Sequence, residues 1–145
     1  CRTPKDVVLE GLQYVPKRSR LYEAISYVLQ IHEEVPEWEK AWAKVTERYG
    51  RYHIVHTINN ACFVVLGLLY GAGDFGKSVC IAVECGLDTD CNGATVGSIL
   101  GVMLGASGLP RQWVDPLNDM MESSVPGFQW VKISELARRI FRLLQ

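Results

Sequence analysis

The sequence lacks two features that define large classes of protein: a long apolar run and an excess of one charge sign. Its longest weakly polar run covers residues 94–109 and contains Thr95, Ser98 and Ser107, whereas a membrane-spanning helix needs about 20 apolar residues. Fifteen Lys and Arg residues oppose sixteen Asp and Glu residues, which gives a net charge of -1. Proteins that bind nucleic acid phosphates usually carry a basic excess. We therefore expect a soluble protein with neither a membrane nor a nucleic acid as its partner.

The chain also lacks the paired cysteines of a disulfide scaffold. It has five cysteines, an odd number, in 145 residues, and most of them lie in apolar or helix-like segments. Such cysteines are typical of a reducing compartment, so we predict a cytoplasmic location. Hydrophobic residues make up 48% of the chain, which is enough apolar material for one domain with a sizeable core.

Helical spacing of apolar residues is the dominant pattern. Ser19 and Asp74 are suitable helix N-caps, while Pro16 and Gly50 are suitable stops. No segment shows sustained alternation of apolar and polar residues, so we predict an all-α fold. The predicted helices cover residues 4–15, 19–34, 36–49, 54–69, 76–85, 90–106 and 134–144, with a short helical turn over 111–121 and an irregular segment over 123–130.

Two carboxylates stand close together just before one predicted helix. Asp88 and Asp90 flank Thr89, and Asn92 follows, so hard oxygen donors gather where the first N–H groups of the helix are unpaired. Helix capping would explain one aspartate but not two. The pattern predicts a site for Mg²⁺, Mn²⁺ or Ca²⁺.

Glycine recurs every fourth residue in the same helix, at positions 93, 97, 101 and 105. Each glycine costs about 1 kcal/mol relative to alanine inside a helix, so the ridge predicts close approach of another helix. That approach would bury the aspartate end of the helix in part. Because buried carboxylates without cations are costly, burial favours a metal.

Several motifs in fixed order carry a resemblance to a known family. They are His56-x-x-Asn59-Asn60, Leu68-x-Tyr70-Gly71, Gly73-Asp74-Phe75, Gly86-x-Asp88-Thr89-Asp90, Gly97-x-x-x-Gly101-x-x-x-Gly105-Ala106 and Leu109-Pro110-x-x-Trp113. Over roughly residues 53–118 this order resembles the ADP-ribosylglycohydrolase family. The resemblance implies an orthogonal bundle of helices and a metal-dependent hydrolase of ADP-ribosyl N- or O-glycosidic bonds. It also implies a dinuclear Mg²⁺ or Mn²⁺ site in a cleft, with Asp88 and Asp90 among its ligands.

The chain departs from the family pattern in two ways. The family's last threonine ligand is replaced by Cys91, and a thiol is a poor ligand for Mg²⁺ or Mn²⁺. The family's N-terminal half, with a catalytic acidic residue and a Thr-Asp-Asp metal motif, is not found in these residues. The resemblance therefore implies that residues 1–145 are the C-terminal part of a single such domain. Its partner would be the N-terminal half of the same protein, either covalent or as a cleaved companion chain.

Two alternative functions remain open from the residues. If Cys1 is a processed end, its thiol and α-amine would form an N-terminal nucleophile that hydrolyses an amide or acyl bond after autoproteolysis. A thiol reagent should then label Cys1 before Cys62 and Cys80, which we expect to be buried. The other alternative is a non-catalytic, ligand-binding member of the fold.

Two histidines offer a further hypothesis. His53 and His56 lie three residues apart and would share a helix face towards the cleft. A packed or surface position is the more common role of such residues.

Overall fold

The computed structural model describes residues 3–143, and its contacts divide the chain into the units Cys1–Gly108 and Leu109–Gln145. The helices of the first unit are α1 (Pro4–Leu12), α2 (Arg20–Glu34), α3 (Trp38–Tyr49), α4 (Thr57–Gly71), α5 (Phe75–Glu84) and α6 (Thr89–Leu104). The second unit has α7 (Arg111–Val114), a 3₁₀ turn (Asp115–Leu117), β1 (Met120–Glu122), β2 (Trp130–Lys132) and α8 (Ile133–Arg142). None of the helices in residues 3–143 has both the length and the apolar character that a membrane span requires.

Short polar side chains start several helices of the first unit. The Ser19 hydroxyl accepts a hydrogen bond from the Tyr22 N–H at 3.1 Å, and the Asp74 carboxylate accepts one from the Lys77 N–H at 2.7 Å. These bonds satisfy N–H groups that the helix itself leaves unpaired. Both predicted caps are therefore confirmed.

Helix α4 is the centre of the first unit. It packs against α5, α2, α3, α6 and α1, and nearly all of its residues are buried. Phe63, Leu66 and Leu68 are its largest fully buried apolar side chains. A helix that is apolar on all sides is stable in water only when neighbours surround it, so α4 organises the core. The all-α prediction is confirmed.

Glycines allow the closest helix contact, but on α4 and not on α6. A Cβ on Gly67 would lie 2.7 Å from the Ser78 carbonyl oxygen, and one on Gly71 would lie 2.6 Å from the Ser78 Cα. On α6, a Cβ on Gly93 would meet the Val83 side chain at 3.0 Å, whereas one on Gly101 would meet no heavy atom of the described residues within 4 Å. A Cβ on Gly97 would meet the Phe75 ring of α5 at 3.7 Å. The glycine ridge of α6 therefore faces α5 at Gly93 and Gly97, most tightly at Gly93, but not at Gly101.

The second unit contains a small antiparallel pair of strands that the sequence did not predict. Met121 pairs with Val131, and the Ser123 N–H donates to the Gln129 carbonyl at 2.9 Å. Strands of three residues are too short to show a period of two. The expected helical turn ends before Met120. Asn118 and Asp119 have positive φ angles of 48° and 57°, whereas residues of a right-handed helix have negative φ angles.

The expected burial of Cys80 is wrong. Cys62 is buried in α4, but Cys80 is exposed. The core face of α5 contains Ser78, Ile81 and Ala82, and a residue two positions after Ser78 points to the other side of a helix.

Candidate metal centre

The loop before α6 turns sharply at two left-handed residues. Gly86 has a φ of 86° and Leu87 has a φ of 63°. Glycine adopts this conformation freely, but a residue with a branched side chain does so rarely and at a cost in backbone strain. The turn delivers Asp88 to the N-cap position of α6.

The side chain of Asp88 is not used to cap the helix. Asp88 occupies the N-cap position of α6, yet among the described residues its carboxylate accepts no cap hydrogen bond from that helix. Asp74 at the start of α5 does cap its helix. The backbone cap expected of an aspartate at this position is therefore not observed, and the Asp88 carboxylate instead forms a hydrogen bond with the Cys91 thiol.

Three potential ligand atoms meet at this end of α6. Single side-chain ligand atoms of Asp88, Asp90 and Cys91 all lie within 4.8 Å of one another. Asp88 is half-buried, and Asp90 and Cys91 are exposed. The expected partial burial therefore holds for Asp88 and not for Asp90. Two carboxylates this close repel each other, and a divalent cation between them would remove the repulsion.

The Cys91 thiol lies beside the two carboxylates. A hydrogen bond with Asp88 and the negative charges of Asp88 and Asp90 raise the pKa of the Cys91 thiol above its usual value. A sulfur ligand is soft and suits a hard cation poorly, so Cys91 contributes little to holding Mg²⁺ or Mn²⁺. The fit to Mg²⁺ or Mn²⁺ therefore rests on the two carboxylates.

A cluster of buried amides lies beside the carboxylates. Asn59, Asn60 and Asn92 are 1%, 8% and 3% exposed. The Asn60 side-chain oxygen accepts hydrogen bonds from the Asp88 N–H at 3.2 Å and from the Asn92 Nδ2 at 2.8 Å. In the sequence, Asn59 and Asn60 belonged only to a motif of the family resemblance, whereas Asn92 was counted among the oxygen donors near Asp88 and Asp90. A signal was present, since two adjacent amides inside an otherwise apolar helix need hydrogen-bond partners.

The two histidines do not share a helix face. Both precede α4, which begins at Thr57 and not at the expected residue 54. His56 is the N-cap, and its Nδ1 accepts from the Ile58 N–H at 3.1 Å. Its ring stacks on Tyr52 at 4.4 Å between centroids, while His53 is exposed. The structure therefore gives His56 a capping role. Cys1 lies outside the described residues.

Fold and site together define an all-α protein with a candidate cation site built on paired carboxylates. The chain belongs to the ADP-ribosylglycohydrolase family, whose model matches residues 1–145. The resemblance drawn from the motifs is thus confirmed.

One curated relative shows similarity to part of the chain. It is the ADP-ribosylarginine hydrolase Tri1 of Serratia proteamaculans (strain 568), which is 28% identical over 89 residues. The match covers 61% of this chain and 20% of the relative, so it spans about a fifth of that protein's length. No solved structure gives a significant match.

Proposed function

We propose that this chain contributes Asp88 and Asp90 to the active site of a metal-dependent hydrolase that cleaves ADP-ribosyl linkages. The observation that carries the proposal is the meeting of two carboxylates within 4.8 Å at the start of α6, with Asp88 not used as a cap. Membership of the ADP-ribosylglycohydrolase family supports the reaction class. The name of the Serratia relative makes arginine-linked ADP-ribose the first substrate to test.

The proposed cofactor is Mg²⁺ or Mn²⁺ in a dinuclear site. Carboxylate oxygens are the ligands that these hard cations prefer. When bound, such a cation supplies Lewis acidity and orients the ribosyl group and a water molecule. Asp88 and Asp90 would bind through their oxygens, and the Cys91 thiol would keep its hydrogen bond to the Asp88 carboxylate.

The remaining ligands and the catalytic acid or base are proposed to come from the N-terminal half of the same domain, as a covalent segment or a cleaved companion chain. In this proposal residues 1–145 are the C-terminal part of one domain. Two observations support it: the relative is matched over only 20% of its length, and Val102 of α6, which is 87% exposed, lines an apolar surface groove with Val7, Ile99 and Met103. A contiguous exposed apolar patch commonly marks a surface that another segment covers.

The metal proposal is tested with Asp90→Asn in the full-length protein. Because the substitution removes a charged oxygen ligand, we expect the Mn²⁺ affinity measured by titration calorimetry to fall by roughly tenfold or more. Hydrolysis of ADP-ribosylated arginine should fall in parallel.

Asp74→Asn is the matched control. It makes the same change at the N-cap of α5, where asparagine caps as well as aspartate does, so Mn²⁺ affinity should stay at the wild-type value. Equal Mn²⁺ affinity for wild type and Asp90→Asn would contradict the proposal. A normal affinity with no hydrolysis of any ADP-ribosyl substrate would favour the non-catalytic alternative. The N-terminal nucleophile at Cys1 stays a hypothesis from the sequence.

A further inference from the structure

The amide of Asn60 makes more hydrogen bonds than a helix residue needs. Its Nδ2 donates to the Ile54 carbonyl at 2.7 Å and to the His56 carbonyl at 2.9 Å. Its Oδ1 accepts from the Asp88 N–H and the Asn92 Nδ2. Two donor hydrogens and two acceptor lone pairs are all that a side-chain amide offers, and this one uses them all.

These bonds join segments that are far apart in the sequence. The Nδ2 group fixes the loop that leads into α4, and the Oδ1 atom fixes the loop and first turn of α6. Asp88 and Asn92, the two contacts on α6, lie on either side of Asp90. Asn60 therefore contacts both ends of the segment 88–92, which carries the two carboxylates.

The hydrogen bond from the Asp88 N–H to Asn60 stabilises a turn whose preceding residue, Leu87, has a strained backbone conformation. Leu87 has a φ of 63°, a conformation that persists only where surrounding bonds enforce it. The Asp88 N–H, immediately after Leu87, is held by the Asn60 oxygen at 3.2 Å. Without that acceptor the turn would be free to relax and to move the Asp88 carboxylate away from Asp90.

We propose that Asn60 is a positioning residue that holds Asp88 and Asp90 in the arrangement needed to bind a divalent cation, with Asn92 as its partner on α6. This inference rests on the proposed function, because it assigns a task to residues around the same site. Residues outside the ligand set commonly tune metal affinity in this way.

Asn59 provides a matched comparison within the same helix. It is 1% exposed, and its Nδ2 donates to the His53 carbonyl at 3.1 Å and more weakly to the Tyr52 carbonyl at 3.4 Å. Its bonds thus stabilise the loop before α4, as those of Asn60 do, but they run to that loop and to Asn60 and not to the carboxylate segment.

The test compares Asn60→Leu with Asn59→Leu in the full-length protein. The leucine side chain has the same number and branching of heavy atoms as that of asparagine, but it forms no hydrogen bond. We expect Asn60→Leu to weaken Mn²⁺ binding in calorimetry by about 10- to 100-fold, and to speed amide hydrogen exchange at Asp88 in the metal-free protein. Asn59→Leu should lower the melting temperature to a similar degree and leave Mn²⁺ affinity close to the wild-type value.

A milder variant keeps the test decisive if Asn60→Leu does not fold. Asn92→Ala removes one contact of the Asn60 oxygen and places a good helix former in α6, and it should also weaken Mn²⁺ binding. The inference is overturned if Asn60→Leu and Asn92→Ala bind Mn²⁺ as wild type does while Asp90→Asn does not, and the proposed function then stands. It is also overturned if Asn59→Leu weakens Mn²⁺ binding as much as Asn60→Leu. Wild-type binding by Asp90→Asn as well would overturn both proposals.

Discussion

Asp119 joins the strands of the second unit to α8. Its carboxylate accepts hydrogen bonds from the Ser134 N–H at 2.8 Å and the Ser134 hydroxyl at 2.6 Å, and its carbonyl accepts one from the Ile133 N–H at 3.0 Å. It thereby supplies, from a distant part of the chain, the cap that Lys132 at the N-cap position of α8 does not make in the described structure. The hydrogen bonds from the Ser134 hydroxyl and N–H lower the pKa of Asp119.

The lowered pKa predicts how the second unit responds to acid. A carboxylate with a lower pKa in the folded state stabilises the fold above its unfolded pKa of about 3.9, and this stability is lost as the pH falls through the folded pKa. We expect Ser134→Ala to raise the pKa of Asp119 part of the way to its unfolded value, because the Ser134 N–H still donates. The measurement is an NMR titration of the Asp119 carboxyl carbon, and an unchanged midpoint in Ser134→Ala would contradict the assigned cause.

At the scale of helices, α4 and α5 approach each other through small residues on both sides. Gly67 and Gly71 of α4 face Ser78 and Ala82 of α5, so each helix presents two small residues four positions apart. This pattern allows two backbones to come close. The glycines of α6 were expected to allow the same close approach, but Gly101 faces open space in the described structure.

Alanine substitutions at Gly67 and Gly101 test whether the glycine of α4 lies in a tight helix contact and the glycine of α6 does not. A Cβ on Gly67 would lie 2.7 Å from the Ser78 carbonyl oxygen and 2.9 Å from the Ala82 Cβ, so Gly67→Ala must force α4 and α5 apart, at a cost of about 1–3 kcal/mol. Gly101→Ala meets no such obstacle in the described part and should stabilise α6 by up to about 1 kcal/mol. Chemical denaturation measures both. A destabilising Gly101→Ala would instead show that α6 has a close neighbour outside the described residues, as the sequence interpretation holds.

Features that depend on neighbouring residues were predictable from the sequence, and features that depend on distant ones were not. Ser19 and Asp74 cap helices that begin one residue later, so their role is visible in a few letters. Asp88 and Asp90 were recognised as a candidate pair of ligands for the same reason, because they are two residues apart in the sequence. Asn60 lies 28 positions before Asp88, and no local pattern reveals that its oxygen accepts from that residue's N–H group.

At the scale of the whole molecule, the two units differ in how many apolar side chains they bury. The first unit contains the buried core centred on α4. In the second unit, no residue between 109 and 143 is buried, and Trp130 and Phe141 are 67% and 61% exposed. An apolar cleft of about 400 Å³ lies between the strands and α8, lined by Met121, Val125, Phe128, Val131, Leu136 and Ile140 among others. Burial of apolar surface is the main favourable contribution to folding, so the second unit has little stability of its own.

Two helices of similar length test this difference. Helix α1 has 9 residues and buries Pro4, Val8 and Leu12, whereas α8 has 10 residues and none of them is buried. Local opening is favoured where few apolar contacts are lost. We therefore expect backbone amides in the middle of α8 to exchange with deuterium at least about tenfold faster than those in the middle of α1, with α4 slowest of all. Equal protection of α8 and α1 would contradict this ranking and would mean that the apolar cleft beside α8 is covered by a segment outside residues 3–143.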